Sequence, residues 1–388
     1  MFLKKNKTVI IAEAGVNHNG KIQLAKKLID IASKAGADYV KFQTYNVDHL
    51  ILKNTKTAIY QKKNLKKNLS QYSMLKKYQL TANDHNILIS HSKKKKIKFL
   101  STAFDEKSLE LLSNYKLDYI KVPSGEITNY PLLKRISKSK KKILLSTGMS
   151  SIEEIKDALK VLKRKKKDIT IMHCTSDYPA NLKDLNLNFI HKLKKFGCQV
   201  GYSDHSSSLI TPSIAVGLGC KVVEKHFTLS KNLIGPDHKA SLEPQDLYKM
   251  ISYVRETDKM LGLMKKVITR SEKKKKNIKK KKYLKIKRKK KKKLYKILKN
   301  KKKKRKKQRK KKKKKQSLMK KLKKKKKKKT KLLVRKSLVA SKDIKKGDFF
   351  SYENITTKRP GTGISPFKIK NYVGKKSQKN FKKNQLIK

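Results

Sequence analysis

Two short runs, GYSDHS (residues 201–206) and VVEKHF (222–227), each end a strand-like segment in a polar tip that carries one imidazole, His205 and His226. Imidazoles suit Mn, Fe, Co or Zn, and a site with few protein ligands leaves positions open for water and substrate. A single buried histidine is more often a hydrogen-bonded core residue, but two at matching ends of adjacent strands favour a shared ion. Glu13, at the end of the first strand-like run, is the acidic neighbour if that strand lies beside the one carrying His226. Lys41 in YVKFQ and Lys121 in YIKVPSG differ from the many other lysines because each interrupts an apolar strand. An ammonium at a strand end needs an anion, which could be Glu13, Glu126 or Glu224, or a bound phosphate or phosphoenol.

The elements that must position these groups are short β-branched runs alternating with amphipathic helical patterns. The runs are residues 8–15, 37–44, 97–105, 117–125, 142–150, 169–179, 198–206 and 220–228. Helical patterns lie between them, as at 23–36, 151–165 and 209–219, and one at 243–262 closes the series. Ser151 and Glu154 form a capping box, and Gly36 and Gly262 are helix stops. Eight βα units in about 250 residues match a (β/α)8 TIM barrel. A doubly wound sheet usually has fewer strands and a glycine-rich first turn, whereas AEAGVNHNG lacks GxGxxG. The barrel further predicts polar side chains where strands end. They occur there: Glu13, Lys41 with Gln43, Thr102 with Asp105, Lys121 with Ser124 and Glu126, Ser146 with Thr147, His173 to Tyr178, Ser203 to His205, and Glu224 to His226.

Composition divides the chain into three parts: an α/β barrel over 1–268, a lysine-rich low-complexity linker over 269–331, and a small, mainly β domain over 332–388. The net charge is +81 over 388 residues, and residues 273–331 alone hold 42 Lys or Arg with no Asp or Glu. Such a block is expected to be disordered, because like charges repel and the scattered Leu, Ile and Tyr are too sparse for a core. Fewer than about 60 residues is near the lower limit for independent stability, so the last part must lean on something else. Cys174, Cys198 and Cys220 show no CxxC spacing, which indicates neither a disulfide framework nor a zinc site and suits a reducing cytoplasm. No apolar run approaches the ~18–20 residues of a membrane span.

With these residues in hand, the chain resembles the sialic acid synthase family. IIAEAGVNHNG, GADYVKFQT, KVPSGEITNYPLL, LSTGMSSIEEI, HCTSDYPA, GYSDHS, VVEKHFTLS, GPDHKASLEP and KRPGTGI occur in the family's order and with similar spacings, over about 8–272 and 332–388. The resemblance implies a barrel followed by a C-terminal antifreeze-like (SAF) domain, with the SAF domain of one subunit covering its partner's barrel in a domain-swapped homodimer. It also implies condensation of phosphoenolpyruvate with N-acetylmannosamine or a related N-acetylated hexose, releasing phosphate and giving a nine-carbon 2-keto acid. A divalent metal, Mn²⁺ first with Mg²⁺ or Co²⁺ as alternatives, would sit on His205 and His226, beside Glu13 as the group that orients water or relays a proton. By motif match, Lys41, Gln43, Thr102, Lys121, Ser124, Ser146 and Ser203 would hold phosphoenolpyruvate. Glu126 and Asp237 would take sugar hydroxyls, Tyr178 would line the pocket, and Arg359 would reach the N-acetyl group from the partner's SAF domain. The SGE form at 124–126 points to the neuraminate or legionaminate branch, and Ser176 departs from the Asn often found there.

Two other readings compete. The lysine block could make the chain a polyanion binder with an inactive barrel; such binding would be non-specific, and aromatic residues are rare within the block. A barrel condensing phosphoenolpyruvate with an aldose phosphate would need further basic groups and would have no SAF domain.

Overall fold

The computed structural model describes residues 7–57, 61, 64, 70–262, 266–273 and 331–387. The expectation of disorder in the lysine block falls almost wholly on 274–330, outside the described residues.

Eight parallel strands close into a barrel in sequence order: β1 Val9–Gly15, β2 Tyr39–Thr44, β3 Lys98–Ala103, β4 Tyr119–Val122, β5 Lys142–Ser146, β6 Ile169–Cys174, β7 Gln199–Asp204 and β8 Val222–His226. They end sooner than their apolar runs suggest, because the Ser, Thr, Gly and Pro that follow turn into loops. His205 therefore stands one residue beyond β7. The capping box of Ser151 and Glu154 opens helix Ile152–Leu162. Gly36 and Gly262 take the positive φ expected of helix stops, at 80° and 58°.

Strand periodicity sorts the side chains. Ile11, Tyr39, Leu100, Leu144, Met172 and Val222 form an apolar layer inside the barrel, while Ile10, Val40, Phe99, Ile143, Ile171 and Val223 face the helices. Two residues further along, the inward set becomes Glu13, Lys41, Thr102, Ser146, Cys174 and Glu224, with Lys121 two beyond Tyr119. A period of two thus lifts a plug of hydrocarbon into a polar layer at the C-terminal face. On the outer side of β7 and β8, Lys225 Nζ lies 2.6 Å from Asp204 Oδ2 with both side chains almost wholly buried. It also donates to the Ser206 and Ser208 carbonyls. That pair fastens the backbone that carries His205 to the strand that carries His226.

The small domain pairs β9 Ser337–Ala340 antiparallel with β10 Ile355–Lys358 around Leu338, Ile344, Phe350, Ile355, Ile369 and Phe381. Its support is the barrel of its own chain. Arg359 N–H donates to the Leu50 carbonyl at 3.1 Å, and Leu52 N–H donates to the Arg359 carbonyl at 3.2 Å. Arg335 donates to Thr128 Oγ1 at 3.0 Å and Lys336 to the Phe104 carbonyl at 2.6 Å. The family resemblance implies a lid donated by a partner; these contacts, made within one chain, are the ones such a lid would also make.

Candidate active site

A cavity opens at the C-terminal ends of the strands, holding about 1070 Å³ together with its mouth. Its floor is a buried charge network. Lys41 Nζ lies 2.7 Å from Glu13 and 3.4 Å from Glu224, and it donates to Thr102 Oγ1 at 2.8 Å. Lys121 Nζ lies 2.6 Å from the other oxygen of Glu224, which also accepts from Ser203 at 2.9 Å. Parallel register explains the grouping, since Glu13 is paired with both Lys41 and His226 across neighbouring strands, and Ser203 with Glu224.

Burial and the two ammonium groups pull the carboxylates in opposite directions. Burial dominates at Glu13 and, despite Lys41, pushes its carboxyl up to about 7. At Glu224 burial is overcome by Lys121 and Lys41 together, which hold the carboxylate well below its usual range. Glu224 is therefore the fixed anion of the floor and Glu13 the one able to change charge near neutrality. Asp237, also buried, is raised to about 6 by loss of water.

The two histidines meet above this floor, with ring centroids 5.6 Å apart and planes inclined by 52°. Imidazoles bound to one ion at ~2.1 Å per nitrogen have centroids about 5–6 Å apart. His205 Nδ1 faces the Thr175 carbonyl at 2.8 Å. With the proton on Nδ1, Nε2 presents its lone pair where the Tyr178 hydroxyl stands at 3.0 Å. His226 Nδ1 is buried without a hydrogen-bond partner, and burial holds that ring neutral. Among the described residues no group of three or more His, Cys, Asp or Glu side chains is arranged to hold an ion. An ion at this point would be held by the two imidazoles with its other positions open, and the orphaned nitrogen of His226 is the observation that favours it.

Thirteen of the fourteen residues singled out in the sequence line this one cavity: Glu13, Lys41, Gln43, Thr102, Lys121, Ser124, Ser146, Tyr178, Ser203, His205, His226, Asp237 and Arg359. Glu126 is the exception. It is wholly buried beneath the small domain, where Asn129 donates to it at 2.8 Å and Lys336 and Arg359 lie 3.4 and 3.5 Å away. In this arrangement it holds the lid rather than facing the cavity. Gly125 beside it cannot carry a side chain without displacing the lid, since a Cβ would come within 2.9 Å of the Val334 carbonyl. The sequence reading placed Glu224 among the polar strand-end residues and as a possible partner for lysine but gave it no role in the site, although alternation in VVEKH puts it on the same face as Val222 and His226. It missed the wall formed by helix Gln71–Tyr78, for which no strand-end signal exists, and by Phe104, which directly follows β3.

A model of the NeuB family matches residues 28–266, and one of the SAF domain matches residues 335–388. The chain belongs to the NeuB family. Among similar proteins, the N,N'-diacetyllegionaminic acid synthase of Campylobacter jejuni is 44% identical over 385 residues, covering 98% of this chain and 99% of the relative. The enzyme of the same name from Legionella pneumophila is 36% identical, covering 96% of this chain and 90% of the relative. The structure of an N-acetylneuraminic acid (sialic acid) synthetase from Leptospira borgpetersenii superposes with a TM-score of 0.62 at 34% identity, over 71% of this NeuB-family chain and 92% of that one.

Proposed function

We propose that this NeuB-family chain condenses phosphoenolpyruvate with N-acetylmannosamine or a related N-acetylated hexose, adds water and releases phosphate to form a nine-carbon 2-keto sugar acid. The observation that carries this reading is the pair of buried ammonium groups, Lys41 and Lys121, on the floor directly below two converging imidazoles. Two cations with hydroxyl and amide donors around them suit a small, highly charged carboxylate and phosphate. Relatives named as synthases of sialic-acid-type products support the same conclusion.

In this reading Lys41, Lys121, Gln43, Thr102, Ser124, Ser146 and Ser203 hold phosphoenolpyruvate with its methylene carbon facing the sugar. Asp237 accepts from sugar hydroxyls and Tyr178 flanks the chain. Glu126 acts through Arg359, which it holds over the N-acetyl group. His205 and His226 would hold a divalent ion, Mn²⁺ foremost, which when bound supplies Lewis-acid polarisation of the sugar aldehyde.

Carbon–carbon bond formation turns the aldehyde oxygen into an alkoxide and leaves positive charge at C2 of the former enol. Water adds there, and Glu13 accepts its proton, a role suited to a carboxyl poised near 7. That proton then leaves with phosphate as the C–O bond breaks, and the remaining hydroxyl proton on C2 passes to the alkoxide as the keto group forms. Glu224, permanently ionised, keeps both lysines oriented and so fixes the anion's position before reaction. Arg359 lies over the Phe104 ring at 5.5 Å, which sets its guanidinium against the cavity wall.

One chain holds every group this scheme requires, and a dimer exchanging SAF domains would repeat the same contacts. The three free thiols suit a reducing cytoplasm, and among the described residues no helix is long and apolar enough to cross a membrane. The decisive assay is phosphate release from phosphoenolpyruvate with N-acetylmannosamine and, separately, with 2,4-diacetamido-2,4,6-trideoxymannose, with and without Mn²⁺. Release dependent on a sugar is expected, and silence with both sugars under every condition removes the proposal.

A further inference from the structure

Residues 331–336, which lead into β9, form a neck between the linker and the lid, and the neck grips the barrel at two loops. Arg335, buried, joins both. Its Nη1 donates to Thr128 Oγ1 at 3.0 Å in the loop after β4. Its Nη2 donates to Ser150 Oγ at 3.2 Å in the loop after β5 and lies 3.5 Å from Glu154 Oε2 in the first turn of helix Ile152–Leu162. Lys331 Nζ lies 2.9 Å from the other oxygen of Glu154. The two loops are also bonded to each other: Gly148 N–H donates to Ser124 Oγ at 2.9 Å, and Ser150 Oγ donates to the Gly148 carbonyl at 3.3 Å. A path of hydrogen bonds therefore runs from the Arg335 guanidinium through Ser150 and Gly148 to Ser124, whose side chain lines the cavity. Only glycine fits the middle of that path, since a Cβ on residue 148 would come within 2.8 Å of Ser124 Oγ.

The loop after β5 is held in a conformation it would not choose alone. Met149, which also lines the cavity, has φ 60°, and a residue with a side chain keeps that left-handed backbone only where its surroundings impose it. Ser150 is the next residue, and the cation that grips it belongs to the neck. We propose that Arg335 is a positioning residue for phosphoenolpyruvate: seated on Thr128, Ser150 and Glu154, it holds the loops that carry Ser124 and Ser146 in the shape that binds the anion. The inference rests on the condensation reading and goes beyond it, because it assigns anion affinity to a residue whose terminal nitrogens are spent on the barrel rather than on substrate. A small displacement of binding groups is enough to weaken a multiply bonded ligand, so support from behind the site has a measurable effect. The same reasoning holds whichever chain supplies the neck and lid.

The test measures the Kd of phosphoenolpyruvate by calorimetry, with Mn²⁺ and without sugar, and the KM of each substrate, in the full-length protein, in Arg335→Met and in Arg359→Ala. Arg335→Met should weaken phosphoenolpyruvate binding at least about tenfold and raise its KM in step, whereas Arg359→Ala should leave that Kd within about twofold. If Arg335→Met raises the sugar KM alone, as a merely loosened lid would, the inference is overturned while the condensation reading stands. Failure of the unaltered protein to bind phosphoenolpyruvate sinks both. Should Arg335→Met not fold, Ser150→Ala breaks the same path from the barrel side: it should weaken phosphoenolpyruvate binding about three- to tenfold and leave the sugar KM within about twofold, and an unchanged Kd overturns the assignment.

Discussion

Lys121 and Arg359 are both buried cations on one cavity, but they are held in different ways. Lys121 projects from β4 inside a closed ladder and meets Glu224 at 2.6 Å, with side chains 3% and 6% exposed. Arg359 belongs to the small domain, lies 3.5 Å from Glu126 and leaves its own Nε without a partner. One is fixed by eight strands, the other by a single backbone bridge to Ile51 and a few side-chain bonds. Such a division suits a reaction whose small charged substrate must be held rigidly while a larger sugar enters and its product leaves. It also predicts that damage to the floor and to the lid will be felt in different kinetic constants.

Lys121→Met should have the largest effect. It leaves Glu224 with Lys41 alone, and removing one partner of a buried pair costs about 3 kcal/mol. Turnover should fall at least about 10³-fold because the anion loses a preorganised cation. Phosphate release and urea unfolding measure the two losses; a variant that keeps a tenth of the activity would mean that the floor is not where the phosphate binds.

Arg359→Ala comes next, with the sugar KM rising about 10- to 100-fold and the phosphoenolpyruvate KM changing less than about twofold. The same variant tests which chain supplies the lid. Co-expressed with Lys121→Met, it should show no recovery if each SAF domain closes its own barrel. In a dimer exchanging SAF domains, about a quarter of the sites would combine an intact barrel with an intact arginine, and activity would return to that level.

This contrast between floor and lid also marks what could be read in the sequence. The floor was legible because strand periodicity and barrel closure place every second residue inside, so Glu13, Lys41, Lys121, His205 and His226 had to meet once eight βα units were counted. The lid was legible only as a composition change and a KRPG motif. That Arg359 reaches a barrel mouth at all depends on contacts such as Thr357 with Asn129, 228 residues apart, which no local pattern encodes. Glu126 shows the same limit. The tight turn Pro123–Glu126 points it beneath the lid, although its position beside Ser124 suggests the cavity. Helix Gln71–Tyr78 lies in a loop far from any strand end, so its place in the wall had no sequence signal.

The third prediction concerns the one floor carboxyl that titrates. Glu13 has a folded value of about 7 against an ordinary 4.5, so the folded protein holds that proton more tightly than the unfolded chain. Its contribution to stability is fully present below about 4.5 and is lost as pH rises to about 7, a change of up to about 3 kcal/mol. Activity runs the other way, because the base form is required: kcat/KM should climb about tenfold per pH unit on the acid side and level off above about 7. Glu13→Gln should flatten this group's share of the stability slope and lose most of the turnover. A wild-type profile flat from pH 5 to 8 would remove Glu13 from the proton relay.

The smallest effect is expected from deleting 274–330, since the charge network, the imidazoles and the lid contacts all lie outside it. Those 57 residues join the barrel to its lid in the sequence. Shortening the connection changes the local concentration of the lid at the mouth without changing what it contacts there. Per-site kcat should stay within about twofold, with any loss confined to the sugar KM. The informative measurement is complementation in the deleted background: recovery by Lys121→Met with Arg359→Ala only after deletion would show that the long connection is what allows the lid to fold back on its own chain. A fall in kcat beyond about tenfold, with intact thermal unfolding, would instead assign the lysine tract a part in turnover that neither floor nor lid explains.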